Sequence, residues 1–172
     1  KKNRLAEQEK QQDNNPGAHG HADALAIWLH IDGQPVLVDA GTYLYHSGKE
    51  WRDHMRGTPA HNTLSIAGTD SSLISGAFNW SSKAAVSEHS FQLNPDGWSV
   101  EARHDGFSQS FGVCHHRHVT YISNSTFLIT DSLIGNRSEY PVEIGFLVHP
   151  GLIFQGKGKT WTIFKGDQPL LE

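Results

Sequence analysis

The chain reads as an all-β protein, an antiparallel β-sandwich of the jelly-roll-like or supersandwich kind. Three observations lead there. Short runs rich in β-branched and aromatic residues recur along the sequence, turn-forming residues separate them, and no long segment repeats its apolar residues at helical spacing. Strands at this spacing, with no helices between them, stack as antiparallel layers rather than as parallel βαβ units.

Residues 1–17 are almost wholly polar and end in Asn-Asn-Pro-Gly, so they read as a polar linker or disordered start. A helix over Leu5–Gln11 would have one leucine to bury. The β-sandwich domain is expected over 18–172. Its first hairpin pairs a strand over Ala24–Ile31 with one over Val36–Asp39 through an Asp32-Gly33 turn. The run Val36-Leu37-Val38 is continuous rather than alternating, which suits a strand covered on both faces. Lys49–Pro59 is charged and aromatic and reads as a long loop or one helical turn. A strand follows over Asn62–Ala67, closed by Gly68-Thr69-Asp70. Polar residues then dominate to Ser82, with Phe78 and Trp80 as anchors. Further strands are expected at Ala84–Leu93, Trp98–His104, Val113–Ser123, Thr126–Ile134, Val142–Val148 and Trp161–Lys165. Turns at Asn94–Gly97, Ser123–Ser125 and Gly135-Asn136 separate them.

Length and composition narrow the function. At 172 residues the chain is about one domain long, enough to bury a real core. The net charge of −4 offers no basic footprint for nucleic acid. No apolar run approaches the roughly 18–20 residues that span a bilayer, so no membrane partner is expected. A single cysteine, Cys114, excludes an internal disulfide and a cysteine-type zinc site. The opening KKNRLAEQEK lacks the charged-then-apolar layout of a signal peptide, so any export signal is expected upstream.

The residues with the most chemistry are His19, His21, Asp39 and His61. Imidazole nitrogen and carboxylate oxygen suit Zn²⁺, and three protein ligands leave a coordination position open. The trio alone is a weak signal in a chain with 12 histidines. A regular Asp32-Gly33 hairpin sets Asp39 opposite Ala26, leaving His21 about 16 Å further along at strand rise. Residues 18–23 must therefore fold back over the sheet end, a bend that Gly17 and Gly20 permit. Asp39 ends an apolar run, where a carboxylate needs a partner to be tolerated. Asp23 is placed to orient His21. Arg52 and Arg56 suit bidentate contacts to acidic groups, or equally surface salt bridges. Tyr43, Tyr45 and Trp51 are either sugar-stacking surfaces or core aromatics. His115, His116 and His118 have no neighbouring acid in sequence and read as mostly structural. A cupin-like metal oxygenase also carries H-x-H, but it needs a glutamate a few residues later, and residues 22–31 contain none.

The run HGHADALAIWLHIDGQPVLVDAGTYLYHSGKEWRDHMRGTPAHNTLSIAG resembles the metal-bearing core of the heparinase II/III-like polysaccharide lyases, which include oligo-alginate lyases. Over residues 19–63 it carries in order H-x-H-x-D, an apolar strand, a G-x-P turn, L-V-D-x-G-T-Y, then W-R and H-N-T. Residues 117–150 are similar to the family's later strands. The resemblance implies the C-terminal β-sandwich of a longer α/α-toroid plus β-sandwich protein, with the strands that normally precede H-x-H missing or replaced. It implies a carbon–oxygen lyase that cleaves uronic-acid polysaccharides (heparin or heparan, alginate or related) by β-elimination. It puts His21, Asp39 and His61 on the metal-ligand positions, with Zn²⁺ or another divalent ion between them. His19 falls on the position of the cleft-facing catalytic histidine. Arg52, Arg56 and Tyr43 then become the residues to test against an acidic polysaccharide. The family's tyrosine and its asparagine or histidine sit on the N-terminal α/α-toroid, so residues 1–172 alone are expected to be inactive. Periplasmic or secreted placement in a bacterium follows from the same resemblance. The rival reading is a non-catalytic, metal-stiffened module that binds glycan or packs on a partner domain.

Overall fold

The computed structural model describes residues 17, 19–44, 47–122, 126–136 and 139–171. The polar start expected over 1–17 lies outside these residues except for Gly17, as does Tyr45. Among them run β1 (Leu29–Ile31), β2 (Gln34–Leu37), helix α1 (Lys49–Arg56), a 3₁₀ turn (Thr58–Ala60), β3 (Leu64–Ile66), β4 (Leu73–Gly76), β5 (Asn79–Ser82), β6 (Val86–Asn94) and β7 (Gly97–His104). There follow α2 (Ser108–Phe111), β8 (Val113–Ile122), β9 (Thr126–Gly135), β10 (Val142–Ile144), β11 (Ile153–Lys157), β12 (Thr160–Lys165) and β13 (Gln168–Leu171). Strands dominate, every strand pairing is antiparallel, and they fall into several sheets, as the alternation and turn spacing require.

The largest sheet is the meander β6-β7-β8-β9. Its first hairpin closes at Asn94 opposite Gly97, the turn that Asn-Pro-Asp-Gly specifies. Along β8 buried and half-buried residues alternate, so Val113, His115, Arg117 and Val119 share the inner face. Two of those four are ionisable, and this shapes the centre of the domain. Val113 joins Leu64, Ile66 and Phe107 in the apolar core, with Phe111 and Leu133 against it.

Two of the smaller sheets adjoin the segments that carry Asp39 and His61. β1 and β2 pair at a register of His30 to Pro35 and Ile31 to Gln34, with a shift between Leu29 and His30. β3 pairs with β10, and beyond β10 the chain continues past β2, where Val38 N–H donates to the Leu147 carbonyl at 2.9 Å and His149 N–H to the Val36 carbonyl at 2.9 Å.

Several expected elements differ. The strand expected over Ala24–Ile31 is confined to Leu29–Ile31, because side chains rather than a neighbouring strand take up the carbonyls of Ala22, Ala24, Leu25 and Ile27, and the Asp23 carbonyl accepts from Ala26 N–H. Leu25 in that stretch has φ +60°, a left-handed conformation that no regular strand contains. Lys49–Arg56 forms a two-turn helix rather than a loop or a single turn, with Glu50 in the first turn and His54 and Arg56 in the last, as the helix dipole favours. The polar stretch before Ser82 contains the hairpin β4–β5 around Phe78, and β11 and β13 flank the expected β12.

Candidate metal centre

The H-x-H segment bends as its glycines allow. Gly20 N–H donates to the Gly17 carbonyl at 2.9 Å, and Gly17 takes φ +100°, while Gly20 does not take a positive φ. Past the bend the chain is fixed at Ala22, which is wholly buried. Its N–H donates to the Arg56 carbonyl at 2.8 Å, and its own carbonyl accepts from Thr58 Oγ1 at 2.7 Å and Ser71 Oγ at 3.2 Å. Thr63 Oγ1 donates to the Ala24 carbonyl at 2.9 Å. The segment after α1 therefore grips the segment after His21, which brings His21 and His61 together with ring centroids 5.2 Å apart.

Asp39 arrives from the end of β2. Its Oδ1 accepts from Gly41 N–H at 2.7 Å, and its Oδ2 lies 2.6 Å from His61 Nδ1. Burial pushes the Asp39 carboxyl up, but the Gly41 N–H, the bond to His61 and the charges of His61 and His21 outweigh it and hold the carboxyl below its ordinary range. His21 is pulled down, first by burial of its ring and then by the neighbouring His61. A neutral imidazole facing a carboxylate is the protonation state a divalent cation needs.

His21, Asp39 and His61 each offer an atom within 4.8 Å of the others. His61 is buried, and its Nε2 has no hydrogen-bond partner among the described residues. An orphaned, buried imidazole nitrogen beside a carboxylate and a second imidazole fits a bound cation. A cavity of about 620 Å³ lies against Asp39, His61, His54 and Met55. His21, Asp39 and His61 are the residues that would hold a metal, and the ion would there stiffen three loops and leave a position for water. Asp23 is exposed and acts on His21 only through its charge; the hydrogen-bond partner of His21 Nε2 is Thr42 Oγ1 at 3.1 Å. Thr42 is the threonine of the L-V-D-x-G-T-Y run, to which the sequence assigned no role.

His19 is exposed, and its ring meets Phe78 edge-on at 5.6 Å. Arg52 lies over the same Phe78 ring at 4.7 Å, and Arg56 lies over Trp80 at 4.5 Å. Trp80 Nε1 donates to the Gly17 carbonyl at 2.8 Å, so the β4–β5 hairpin holds the start of the H-x-H segment. Both arginines are interior, at 4% and 1% exposure, and each has Asp53 as an ion-pair partner, at 4.0 Å from Arg52 Nη1 and 3.4 Å from Arg56 Nη1. Arg56 Nη1 donates to the carbonyls of Gly76 at 3.2 Å and Ala77 at 2.9 Å. Tyr43 and Trp51 are exposed, with Tyr43 one residue from Thr42 and Trp51 edge-on to His54 at 5.8 Å.

His115 faces inward to His104 and Asp131, whereas His116 and His118 are on the other face of β8, where His116 Nε2 is 3.4 Å from Glu101. No metal-ligating trio forms there among the described residues.

Residues 10–168 match the family described as Heparinase II/III-like, C-terminal. Among solved structures, the fold is similar to that of a heparan sulfate lyase HepC mutant from Pedobacter heparinus, with a TM-score of 0.62 at 20% identity. That similarity covers 80% of this chain and 20% of that one, so the chain matches only a minor part of that relative's length. None of the curated proteins matches in sequence. The family match takes in the H-x-H segment, Asp39, His61 and the whole β6–β9 meander, and by it the chain belongs to the heparinase II/III-like C-terminal family.

Proposed function

We propose that this chain is the β-sandwich domain of a polysaccharide lyase that cleaves uronic-acid-containing polymers by β-elimination. The observation that carries the reading is the division of labour in the H-x-H segment of a heparinase-like domain. His21 turns inward to Asp39 and His61, while His19, two residues away, remains exposed.

In such a reaction a base takes the proton at C5 of the uronate, a C4–C5 double bond forms, and the C4–O4 bond breaks as the leaving oxygen gains a proton. The C5 proton is only weakly acidic, so the C6 carboxylate must be neutralised or hydrogen-bonded. An exposed imidazole suits proton transfer or a hydrogen bond to that carboxylate. His19 is the residue of this chain assigned to that role. Arg52 adds positive charge behind Phe78 and Arg56 behind Trp80, and Tyr43 offers an exposed ring one residue from Thr42. His21, Asp39 and His61 hold Zn²⁺ or a similar divalent ion, which fixes the loops and thereby the direction of His19. The catalytic tyrosine and the group that neutralises the carboxylate belong to an N-terminal α/α-toroid of the same protein, and a bacterial periplasmic or secreted setting suits the polymer.

Incubating the intact protein with a panel of acidic polysaccharides and following the absorbance of the unsaturated product tests this. Elimination on at least one polymer is expected. Binding without cleavage would leave the glycan-binding module as the better reading.

A further inference from the structure

Arg117 joins the β6–β9 meander to the metal-centre loops by side-chain hydrogen bonds. It is 3% exposed and points inward from β8. On one side it makes a two-pronged contact with Asp131, Nε to Oδ1 at 2.7 Å and Nη2 to Oδ2 at 3.0 Å. On the other, Nη1 donates to the Asn62 carbonyl at 2.7 Å and the Leu25 carbonyl at 2.9 Å. Asn62 follows His61 directly. Leu25 lies four residues past His21 and is the one residue of that loop at positive φ, a conformation that costs a leucine about 1–2 kcal/mol. A donor fixed to both carbonyls holds the two histidine-bearing segments at one spacing.

Asp131 is itself held from behind. Gly106 N–H donates to His104 Nδ1 at 3.1 Å, which leaves His104 Nε2 to donate to His115 Nδ1 at 3.1 Å. His115 Nε2 then donates to Asp131 Oδ1 at 2.6 Å. Each imidazole has one donor and one acceptor role, and the chain of bonds ends on the carboxylate that grips Arg117.

We propose that Arg117, backed by Asp131 and His115, is a positioning residue for the His21–Asp39–His61 centre. It sets the distance between His21 and His61 through backbone carbonyls, without touching either ring. The proposal rests on the reading of that trio as a metal centre, so its test includes a readout that needs no metal.

The experiment compares Arg117→Gln and Arg117→Lys with Val113→Ala in the intact protein, Val113 being a core residue with no bond to the loops. Zn²⁺ affinity is measured by competition with a chromophoric chelator at a temperature where each protein is folded. Amide exchange is followed over residues 22–27 after chelation. Both Arg117 variants are expected to bind Zn²⁺ about 10-fold or more weakly. They should also exchange faster over residues 22–27 while β6–β9 stays protected. Lysine does not rescue, because one ammonium has no planar fork to span a carboxylate and two carbonyls. Val113→Ala loses thermal stability with Zn²⁺ affinity unchanged. Should Arg117→Gln fail to fold, Arg117→Lys makes the same comparison. Variants that lose stability but keep Zn²⁺ affinity within twofold and exchange unchanged over 22–27 overturn the proposal. If the parent protein binds no Zn²⁺ yet residues 22–27 loosen in the variants, the metal reading fails and the positioning role stands.

Discussion

The side-chain amide of Asn62 donates to the carbonyl of Val38 at 2.8 Å, tying the residue after His61 to the residue before Asp39. The same nitrogen donates to the Ile27 carbonyl at 2.8 Å, and Oδ1 accepts from Leu147 N–H at 2.6 Å. One buried amide therefore satisfies three backbone groups, the carbonyls of Ile27 and Val38 and the N–H of Leu147. Replacing Asn62 by alanine leaves two carbonyls and one N–H unpaired in the interior. The expected loss is about 3 kcal/mol or more, at roughly 1–3 kcal/mol for each orphaned group. Asn62→Asp should do no better, since a carboxylate faces two carbonyls where the amide offered donors. Denaturant unfolding of the intact protein and both variants checks this, and a loss below about 1 kcal/mol for Asn62→Ala would contradict it.

Acid should weaken the domain in two stages. Burial, then the neighbouring His115 and Arg117, lower the His104 pKa from 6.5 to about 4, against a smaller opposing push from Asp105. The unfolded chain therefore takes up this proton first, and stability falls as pH drops from about 6.5 to about 4. Each pH unit in that window costs roughly 1.4 kcal/mol. Burial raises the Asp131 carboxyl, but the bonds from His115 and Arg117 outweigh it and lower its pKa to about 2. Its contribution is present above about pH 3.8 and is lost as pH falls toward 2. Urea midpoints measured from pH 7 to pH 3 should decline from near 6.5 onward, and His104→Gln should flatten the upper stage. A flat profile between pH 7 and pH 4.5 in the parent protein would rule out a neutral, buried His104.

Zn²⁺ should stabilise the folded chain through His21, Asp39 and His61, with ligand distances of about 2.0–2.2 Å once bound. At a free ion concentration of 100 times Kd the gain is about 2.7 kcal/mol, reversible with chelator. His61→Ala should abolish the shift, because it removes the nitrogen that has no other partner. Thermal melts with and without Zn²⁺ decide the matter, and an equal shift in His61→Ala would show the ion binding elsewhere.

Much of the β-architecture was legible in the sequence, because β6, β7, β8 and β9 advertise themselves by alternation and by turns such as Asn94–Gly97. The hairpin β4–β5 was not, since Ser75, Asn79, Ser81 and Ser82 give it a polar composition. What makes it a hairpin is tertiary: Phe78 and Trp80 lie against Arg52 and Arg56 on the far side of α1. The convergence of His21 with Asp39 was implied by the family resemblance, and the register argument added that the chain must fold back before Ala26 to allow it. Thr42 and Arg117 carried no such signal. A hydroxyl or a guanidinium acquires its role only when residues 21 and 92 positions away arrive beside it.

His19 and His21 should separate cleanly under mutation, because their surroundings differ. His19 is exposed and touches Phe78 at its ring edge, whereas His21 is half-buried between Thr42 and His61. If His19 serves proton transfer or binds the substrate carboxylate, His19→Ala in the intact protein lowers turnover by about 10²-fold or more, with metal content unchanged. His21→Ala takes away a ligand, so metal content falls first and activity follows as the loop loosens. Phe78→Leu should be milder than either. It keeps the metal but removes the ring that limits where the His19 imidazole can point, so turnover declines by less than in His19→Ala. Metal content measured beside turnover for the three variants distinguishes these outcomes. Full activity in His19→Ala would reduce that residue to an exposed loop histidine and return the catalytic role of this domain to the groups around Arg52 and Tyr43.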